Sequence, residues 1–254
     1  MDNIIVSKPR PGVMLIALNR PKNLNALSRD LLREMAATLN EAEFDDSVRC
    51  VVITGNERSF SAGADIKEMP KSDIPKFAES ERLRSWKTIE KFPKPLVAAV
   101  NGYALGGGCE LTLLCDIVIA GENARFGTPE IKIGIFPGDG GTQRLPRSIG
   151  KARTMMMVLT GETIDARTAK DWGLAVEVVV PEQTVERAID VAATIAENSS
   201  LALRMAKADV LMAFEKPLDE SLSLERKMLL WQSHDHQEGI AAFAEKRKPR
   251  FKGC

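Results

Sequence analysis

Histidine is scarce in this 254-residue sequence, which contains only two. His234 and His236 lie together in a polar run near the C-terminus. A catalytic triad built on histidine, or a zinc site with three histidines, therefore has almost no candidate residues. The serine-hydrolase pattern G-x-S-x-G and the phosphate-binding pattern G-x-x-x-x-G-K-[ST] are also missing. We expect neither serine hydrolysis nor a metal site.

Net charge is also missing, because 35 Lys and Arg residues balance 35 Asp and Glu residues. Without a long-range field, nucleic acids and anionic membranes are poor candidates for partners. The first residues lack the charged and apolar pattern of a secretory leader, so we expect none, and no apolar run reaches about 18 residues, the length of a membrane span. The four cysteines contain no C-x-x-C pair, which favours free thiols in a reducing compartment. We expect a cytoplasmic protein.

Glycine, in contrast, is concentrated in one part of the chain. Eleven of the 18 glycines fall between Gly102 and Gly150. Glycine is needed where the backbone turns with positive φ or approaches another group closely. This stretch is therefore the candidate site region.

Short apolar runs alternate with helical patterns in the first two thirds of the chain. Strands are predicted at Val13–Leu18, Cys50–Thr54, Pro95–Val100 and Ile117–Ala120. Ser28 is a predicted N-cap for a helix with the apolar face Leu31, Leu32, Met35, Leu39 and Ala42. This alternation predicts an α/β fold.

Beyond Pro181 the strand patterns stop. Apolar residues recur at three- and four-residue spacing, which predicts helices over Val185–Ser199, Leu201–Phe214, Leu218–Trp231 and Glu238–Lys246. We expect subunit contacts in this region, although spacing alone does not distinguish an interface from an intramolecular core.

The central block is NGYALGGGCEL, residues 101–111. A strand enters it, a glycine run turns, and a helix is predicted over Cys109–Leu114. Unpaired N–H groups at such a turn can hold a phosphate or an oxyanion formed in acyl chemistry. Tight packing of helix on strand is an equally good interpretation of the glycines. The dinucleotide pattern G-x-G-x-x-G is absent, because Ala104 occupies the position of its middle glycine.

Two glutamates stand out near this block. Glu110 falls in the first turn of the predicted helix, and Glu130 follows 20 positions later in a segment broken by Gly127 and Pro129. Two carboxyls in one apolar pocket can have different pKa values, so that one acts as a base and the other as an acid. Spacing alone does not establish that they meet.

A second loop of small residues, Ser59–Lys67, reads SFSAGADIK and follows the strand that ends at Thr54. It is a candidate for a second close backbone approach, with another N–H for an oxyanion. An ordinary turn between a strand and a helix is the alternative. Lys67 is a candidate phosphate contact or simply a solvated side chain.

Together these blocks resemble the crotonase (enoyl-CoA hydratase/isomerase) superfamily. The resemblance is carried by NGYALGGGCEL, by CDIVIAGENARFGTPEIKIGIFPG and by GGTQRLPR, and it extends to LNRP, NAL, FSAGADIKEM and the C-terminal EGI and KRKPRFK. Within the superfamily the sequence looks most like bacterial hydratases of short-chain and dehydroadipyl-type thioesters, including those of phenylacetate catabolism.

The resemblance implies a ClpP/crotonase-like spiral of ββα units with a helical C-terminal region. Residues 1–200 would form the crotonase core with the CoA-binding and catalytic site. Residues 201–254 would form a helical oligomerisation region of a homotrimer or a homohexamer. The implied reaction is the reversible addition of water to a trans-2-enoyl-CoA. No cofactor is implied, because CoA is part of the substrate.

Transferred residue by residue, the two catalytic glutamates of the family fall on Glu110 and Glu130. The oxyanion hole falls on the backbone N–H groups of Ala64 and Gly107, which also belong to the implied substrate site. The remaining implied CoA-binding residues are Ala62, Asp65, Ile66 and Lys67, with Phe251 and Lys252 at the nucleotide.

One position departs from the family pattern. Hydratases usually read PGAGG or PGSGG where this chain has Asp139 in PGDGG. Asp139 is either a third acid near the acyl group, as in isomerase or hydrolase branches, or an N-cap for the helix that begins near Thr142. We prefer the cap, because Asp suits a helix start. Isomerase and acyl-CoA hydrolase activity are the sibling alternatives, and a non-catalytic CoA- or RNA-binding paralogue is the alternative from another class.

Overall fold

The computed structural model of the protein describes residues 2–68, 80–225 and 231–254. Strands and helices alternate through most of the chain and form two sheets. No helix within the described ranges is long and apolar enough to cross a membrane. The predicted α/β class is confirmed.

The larger sheet has six strands in the order β1-β2-β3-β5-β7-β10. Their bounds are β1 Ile4–Arg10, β2 Gly12–Leu18, β3 Val48–Thr54, β5 Leu96–Val100, β7 Ile117–Gly121 and β10 Glu177–Val179. All neighbouring pairs are parallel except the hairpin β1–β2. The four strands predicted from apolar runs are β2, β3, β5 and β7, and all four are confirmed.

The smaller sheet was not predicted, because its strands are only three residues long. They are β4 Ser59–Ser61, β6 Tyr103–Leu105, β8 Arg125–Gly127 and β9 Thr163–Asp165, in the order β4-β6-β8-β9. The pairs β3–β4, β5–β6 and β7–β8 each place their first strand in the larger sheet and their second in the smaller one. A helix follows each pair. The chain therefore repeats a ββα unit, as the resemblance implies.

The helices preceding the C-terminal region are α1 Arg29–Phe44, α2 Glu81–Glu90, α3 Gly107–Thr112, α4 Gly141–Ile149, α5 Lys151–Thr160, α6 Ala166–Trp172 and α7 Thr184–Ala196. Helix α1 begins as predicted, because the Ser28 hydroxyl accepts a hydrogen bond from the N–H of Leu31 at 3.2 Å. Helix α3 begins two residues earlier than predicted, since Gly106 is its N-cap.

The inner strands of the larger sheet, β2, β3, β5 and β7, are mostly buried on both faces, which explains why they read as continuous apolar runs. Val51 and Ile53 of β3 pack in the main core, which also contains the apolar face of α1. Cys50 and Val52 point the other way and pack against Ile189 of α7. The larger sheet therefore lies between two apolar layers.

The C-terminal helices are α8 Ser200–Met212, α9 Leu218–Glu225 and α10 His234–Ala244. The predicted helix over Leu218–Trp231 is confirmed only as far as Glu225, because residues 226–230 lie outside the described ones. Neither α8 nor α9 has a buried residue in the single chain. The apolar positions of these two helices are therefore at most partly buried in the single chain.

Candidate active site

Three parallel strands of the smaller sheet bring the predicted site segments together. Strand β6 pairs with both β4 and β8 in parallel, so the carboxyl ends of the three strands meet at one edge. The loop with Ala64 follows β4, the turn with Gly107 and Glu110 follows β6, and the turn with Glu130 follows β8. The convergence that sequence spacing left open is therefore supplied by the sheet.

These segments surround a cavity of about 570 Å³. Of the predicted site residues, eight line it: Ala62, Ala64, Asp65, Ile66, Gly107, Glu110, Glu130 and Asp139. Three predicted residues, Lys67, Phe251 and Lys252, are not among the lining residues. The cavity wall thus combines two backbone turns with five carboxyl-bearing residues, because Glu68 lines it as well as Asp65, Glu110, Glu130 and Asp139.

For the two backbone N–H groups expected to form an oxyanion hole, the part of the chain that the structure describes provides no acceptor. Leu27 and Ala64 form a parallel β-bridge. In it the N–H of Leu27 donates to Gly63 O at 2.8 Å, and the N–H of Asp65 donates to Leu27 O at 3.3 Å. The N–H of Ala64, between these two residues, therefore points away from Leu27. Gly107 is the first residue of α3, where an N–H has no acceptor within the helix. A Cβ built on Gly107 would lie 3.4 Å from Ala64 N, so the two donors are close neighbours.

Glycine is required at position 106 for two reasons. Its φ of 52° and ψ of −126° belong to a region that residues with a side chain rarely adopt. A Cβ there would also lie only 2.8 Å from Oε1 of Glu130. Gly106 is thus explained by the space that the Glu130 carboxyl occupies. A Cβ on Gly108 would instead clash with Ser61 O of β4, so tight packing of helix on strand explains that glycine.

Glu110 is a buried carboxyl, 2% exposed, on the cavity side of α3. Its Oε1 accepts hydrogen bonds from the N–H of Asp139 at 2.8 Å and from that of Gly141 at 2.7 Å. Burial raises the pKa of Glu110 from its ordinary 4.5 to about 7, with further contributions from the charges of Asp139 and Glu130. A carboxyl with this pKa can exchange protons at neutral pH.

Glu130 lies opposite, at the end of β8, in the turn Pro129–Ile133. Burial raises its pKa as well, and the charge of Asp139 adds to the rise. Among the described residues its buried Oε2 has no hydrogen-bond partner. This oxygen is therefore free to bind a group that enters the cavity.

The preferred interpretation of Asp139 as a helix cap is wrong. The N-cap of α4 is Gly140, and no side chain caps the helix. The carboxylate of Asp139 instead pairs with Arg82 of α2, whose Nη1 donates to Oδ1 at 2.8 Å while Nη2 donates to Oδ2. A cap on α4 would require the carboxylate to turn towards the α4 amides, and the guanidinium holds it on the cavity side instead.

Two other predicted residues of the loop after β4, Asp65 and Lys67, have different surroundings. Asp65 pairs with Arg20 at 3.0 Å and accepts a hydrogen bond from the N–H of Lys67 at 3.3 Å. The side chain of Lys67 is exposed beside the cavity. Its contact with a phosphate stays a prediction.

The C-terminal pair lies elsewhere in the single chain. Phe251 accepts a hydrogen bond through its carbonyl oxygen from Arg49 Nη2 at 3.0 Å, and the N–H of Lys252 donates to Asp235 Oδ1 at 2.7 Å. These bonds fix the tail against α10 and the start of β3. A nucleotide contact from Phe251 and Lys252 stays a prediction.

Several lining residues were missed from the sequence, notably Arg29, Arg82, Ile133, Ile135 and Phe136. The apolar members come from the turn after Glu130, where apolar residues were noticed only as surroundings of that carboxyl. Arg82 and Trp86 are four residues apart on one face of α2. No sequence pattern predicts that this face contacts Asp139, which lies more than 50 positions later in the chain.

Comparison with known proteins agrees with the geometry. Residues 9–254 match the family model described as enoyl-CoA hydratase/isomerase. The chain is a member of this family. Its crotonase fold is confirmed by the crystal structure of an enoyl-CoA hydratase from Bacillus anthracis, which superimposes with a TM-score of 0.94 at 39% identity and covers 99% of this chain and 100% of the other.

Among curated members of the enoyl-CoA hydratase/isomerase family, the 2,3-dehydroadipyl-CoA hydratase of Escherichia coli K12 is 48% identical over the whole of both chains. The mitochondrial enoyl-CoA hydratase of Pongo abelii is also 48% identical, over 94% of this chain and 83% of its own. In residues 2–68, 80–225 and 231–254, no group of three or more His, Cys, Asp and Glu side chains is arranged to hold a metal ion.

Proposed function

We propose that the protein is a hydro-lyase that adds water reversibly across the 2,3 double bond of a trans-2-enoyl-CoA and forms a 3-hydroxyacyl-CoA. One observation carries the proposal: two carboxyls with raised pKa values, Glu110 and Glu130, face a cavity beside the N–H groups of Ala64 and Gly107, which have no acceptor among the described residues. Relatives named enoyl-CoA hydratase at 44–48% identity support it.

The two N–H groups act on the thioester carbonyl. When oxygen adds to the β-carbon, negative charge moves through the α-carbon to the carbonyl oxygen. Donors placed beforehand at that oxygen stabilise the enolate-like state without reorganising, and each is typically worth about 3–4 kcal/mol. Ala64 and Gly107 provide this from the backbone, which explains why the site needs no cationic side chain there.

The two glutamates handle the protons. One carboxylate takes a proton from water as the water oxygen bonds to the β-carbon, and the other carboxyl gives a proton to the α-carbon. The product has gained one H and one OH, while one glutamate is left protonated and the other ionised. A proton returned between them through solvent restores the starting state.

The proposed reaction needs no cofactor, since hydration leaves the substrate neither oxidised nor reduced overall. CoA enters as part of the substrate. The loop Ala62–Lys67 is proposed to hold the CoA moiety next to the oxyanion donors. Phe251 and Lys252 are proposed to contact the nucleotide, and a cytoplasmic location stays a prediction.

The test is hydration of crotonyl-CoA and of longer and dicarboxylic enoyl-CoAs, followed by loss of the conjugated-enoyl absorbance and by product identification. Glu110→Gln and Glu130→Gln should each lower kcat by at least about 10²-fold, as expected for general acid–base catalysis. Glu41→Gln, at an exposed position of α1, is the matched control.

Absence of hydration with every thioester would overturn the proposed function. A shifted double bond or released free CoA would instead identify the sibling isomerase or hydrolase reaction. Because the 2,3-dehydroadipyl-CoA hydratase is 48% identical to this chain, a dicarboxylic substrate belongs in the first panel, and the ratio of kcat/KM values ranks the acyl groups.

We further propose that residues 201–254 assemble the protein as a homotrimer or a homohexamer. Large apolar side chains of this region are exposed in the single chain, including Val210, Phe214, Leu218, Trp231 and Phe243. Exposed apolar surface, where it is contiguous, usually marks an interface. A second copy of the chain is the proposed occupant.

A further inference from the structure

One face of α2 is directed at Asp139. Arg82, Trp86 and Glu90 are spaced four residues apart, so they lie on the same side of the helix. Arg82 pairs with the Asp139 carboxylate through both terminal nitrogens. The indole N–H of Trp86 donates to the Asp139 carbonyl oxygen at 3.2 Å, and Glu90 pairs with Arg144, whose Nη1 donates to the same oxygen at 3.2 Å.

The residue that α2 holds, Asp139, also donates a hydrogen bond to Glu110. The N–H of Asp139 donates to Glu110 Oε1 at 2.8 Å, and the N–H of Gly141, two residues later, donates to the same oxygen at 2.7 Å. Side chain, carbonyl and N–H of Asp139 are therefore all engaged. A movement of Asp139 away from α2 would carry the two donors of Glu110 with it.

The charges around Glu110 also depend on Arg82. Asp139 and Glu130 are negative groups that act on Glu110, and Arg82 is paired with Asp139, which has the larger effect of the two. Glu68 also lines the cavity and is a further negative group that acts on Arg82. Cys109, next to Glu110, stays a neutral thiol because burial raises its pKa to about 12.

The pair itself is largely buried, with side-chain exposures of 13% for Arg82 and 7% for Asp139. Burial lowers the pKa of Arg82, but hydrogen bonding and the charge of Asp139 outweigh it, so the net direction is upward. Removing one partner of such a pair leaves an uncompensated buried charge. Loss of either Arg82 or Asp139 should therefore change the pKa of the neighbouring Glu110 carboxyl.

We propose that Arg82 is a positioning residue, whose bidentate ion pair with Asp139 fixes the amides that hold Glu110 and compensates the negative charge beside that carboxyl. The proposal deepens the proposed function, because it concerns the same proton-transfer group. It also assigns Asp139 a part in positioning rather than in donating a proton, since both of its oxygens already accept from Arg82.

The direct test is a pH titration of protein carrying ¹³C-carboxyl glutamate, followed by NMR, with Glu110→Gln identifying the Glu110 signal. Arg82→Gln should move the pKa of Glu110 upward by about one pH unit or more, since the charge of Asp139 becomes uncompensated. Asp139→Asn should move it downward, because Arg82 is then left without its anion. The double variant should return it towards the wild-type value.

Two further variants separate charge from geometry. Arg82→Lys keeps the positive charge but cannot form the two parallel hydrogen bonds of the guanidinium to Asp139. The pKa of Glu110 should therefore stay near the wild-type value, while kcat falls by up to about 10²-fold. Lys87→Gln, at an exposed position of the same helix, is the matched control for loss of one cation. It should change neither quantity.

An unmoved Glu110 titration in both Arg82→Gln and Asp139→Asn would overturn the proposal. Additive effects with no recovery in the double variant would do the same. If Arg82→Gln does not fold, Asp139→Asn and Arg82→Lys still decide. The titration requires no turnover, so a failure of the proposed hydratase activity in the wild type is distinguishable from a failure of the positioning proposal.

Discussion

Replacing Glu110 by Gln should stabilise the protein in a pH-dependent way, because the buried carboxyl resists ionisation. Its pKa is about 7 in the folded protein against an ordinary 4.5. The folded state thus holds a proton over a range in which the unfolded state has released it. The free energy of unfolding of the wild type therefore falls as pH rises from about 4.5 to 7 and stays low above that.

The size of this effect follows from the difference between the two pKa values, at 1.36 kcal/mol for each pKa unit. It amounts to about 3 kcal/mol between pH 4.5 and pH 8. Gln resembles the protonated carboxyl in shape and keeps an oxygen that can accept from the Asp139 and Gly141 amides. The stability of the variant relative to the wild type should therefore rise by about 3 kcal/mol across that range.

The assay is denaturant unfolding of both proteins at a series of pH values and at one fixed protein concentration. Glu41→Gln, on the exposed side of α1, controls for the loss of one carboxyl in general. A difference curve that is flat with pH, or one in which the Gln variant loses stability relative to the wild type as pH rises, would refute the argument that burial dominates at Glu110.

Two other predictions concern the backbone donors and the assembly. Gly107→Ala should keep most of the activity, because the added Cβ only meets neighbours at ordinary contact distance, 3.4 Å from Ala64 N. Gly107→Pro removes the N–H at a helix position that tolerates proline and should lower kcat about 10²–10³-fold below that of Gly107→Ala. Equal rates in the two variants would argue against an oxyanion donor at residue 107. Phe243, which is 88% exposed in the single chain, lies in the proposed interface region, so Phe243→Glu should reduce the mass measured by analytical ultracentrifugation. The control Phe44→Glu, at a side chain of α1 that is 83% exposed, should not change that mass. An unchanged mass of the Phe243→Glu variant would count against the proposed interface.

Local pattern was sufficient where a feature depends on neighbours in sequence. The apolar runs predicted β2, β3, β5 and β7 because both faces of a parallel strand are buried. Ser28 predicted the start of α1, since a cap acts over only three residues. The motifs around Glu110 and Glu130 identified the catalytic candidates only through their resemblance to a family.

Features that depend on contacts between distant parts of the chain could not be predicted from local sequence patterns. Strands of three residues such as β4 are too short to show periodicity, and they form because neighbouring strands offer hydrogen bonds. The role of Asp139 was predicted incorrectly, because a carboxylate after glycine suits a cap locally, while a guanidinium 57 positions away provides a stronger partner.

The sequence by itself determined the strands of the larger sheet, the capped helix α1 and the residue types available for chemistry, because these depend on local periodicity and composition. Only the tertiary structure decided that Glu110 and Glu130 face one cavity, that Gly106 leaves room for Glu130, and that Arg82 reaches Asp139. The physical reason is that the ends of parallel strands, rather than positions along the chain, determine which side chains become neighbours.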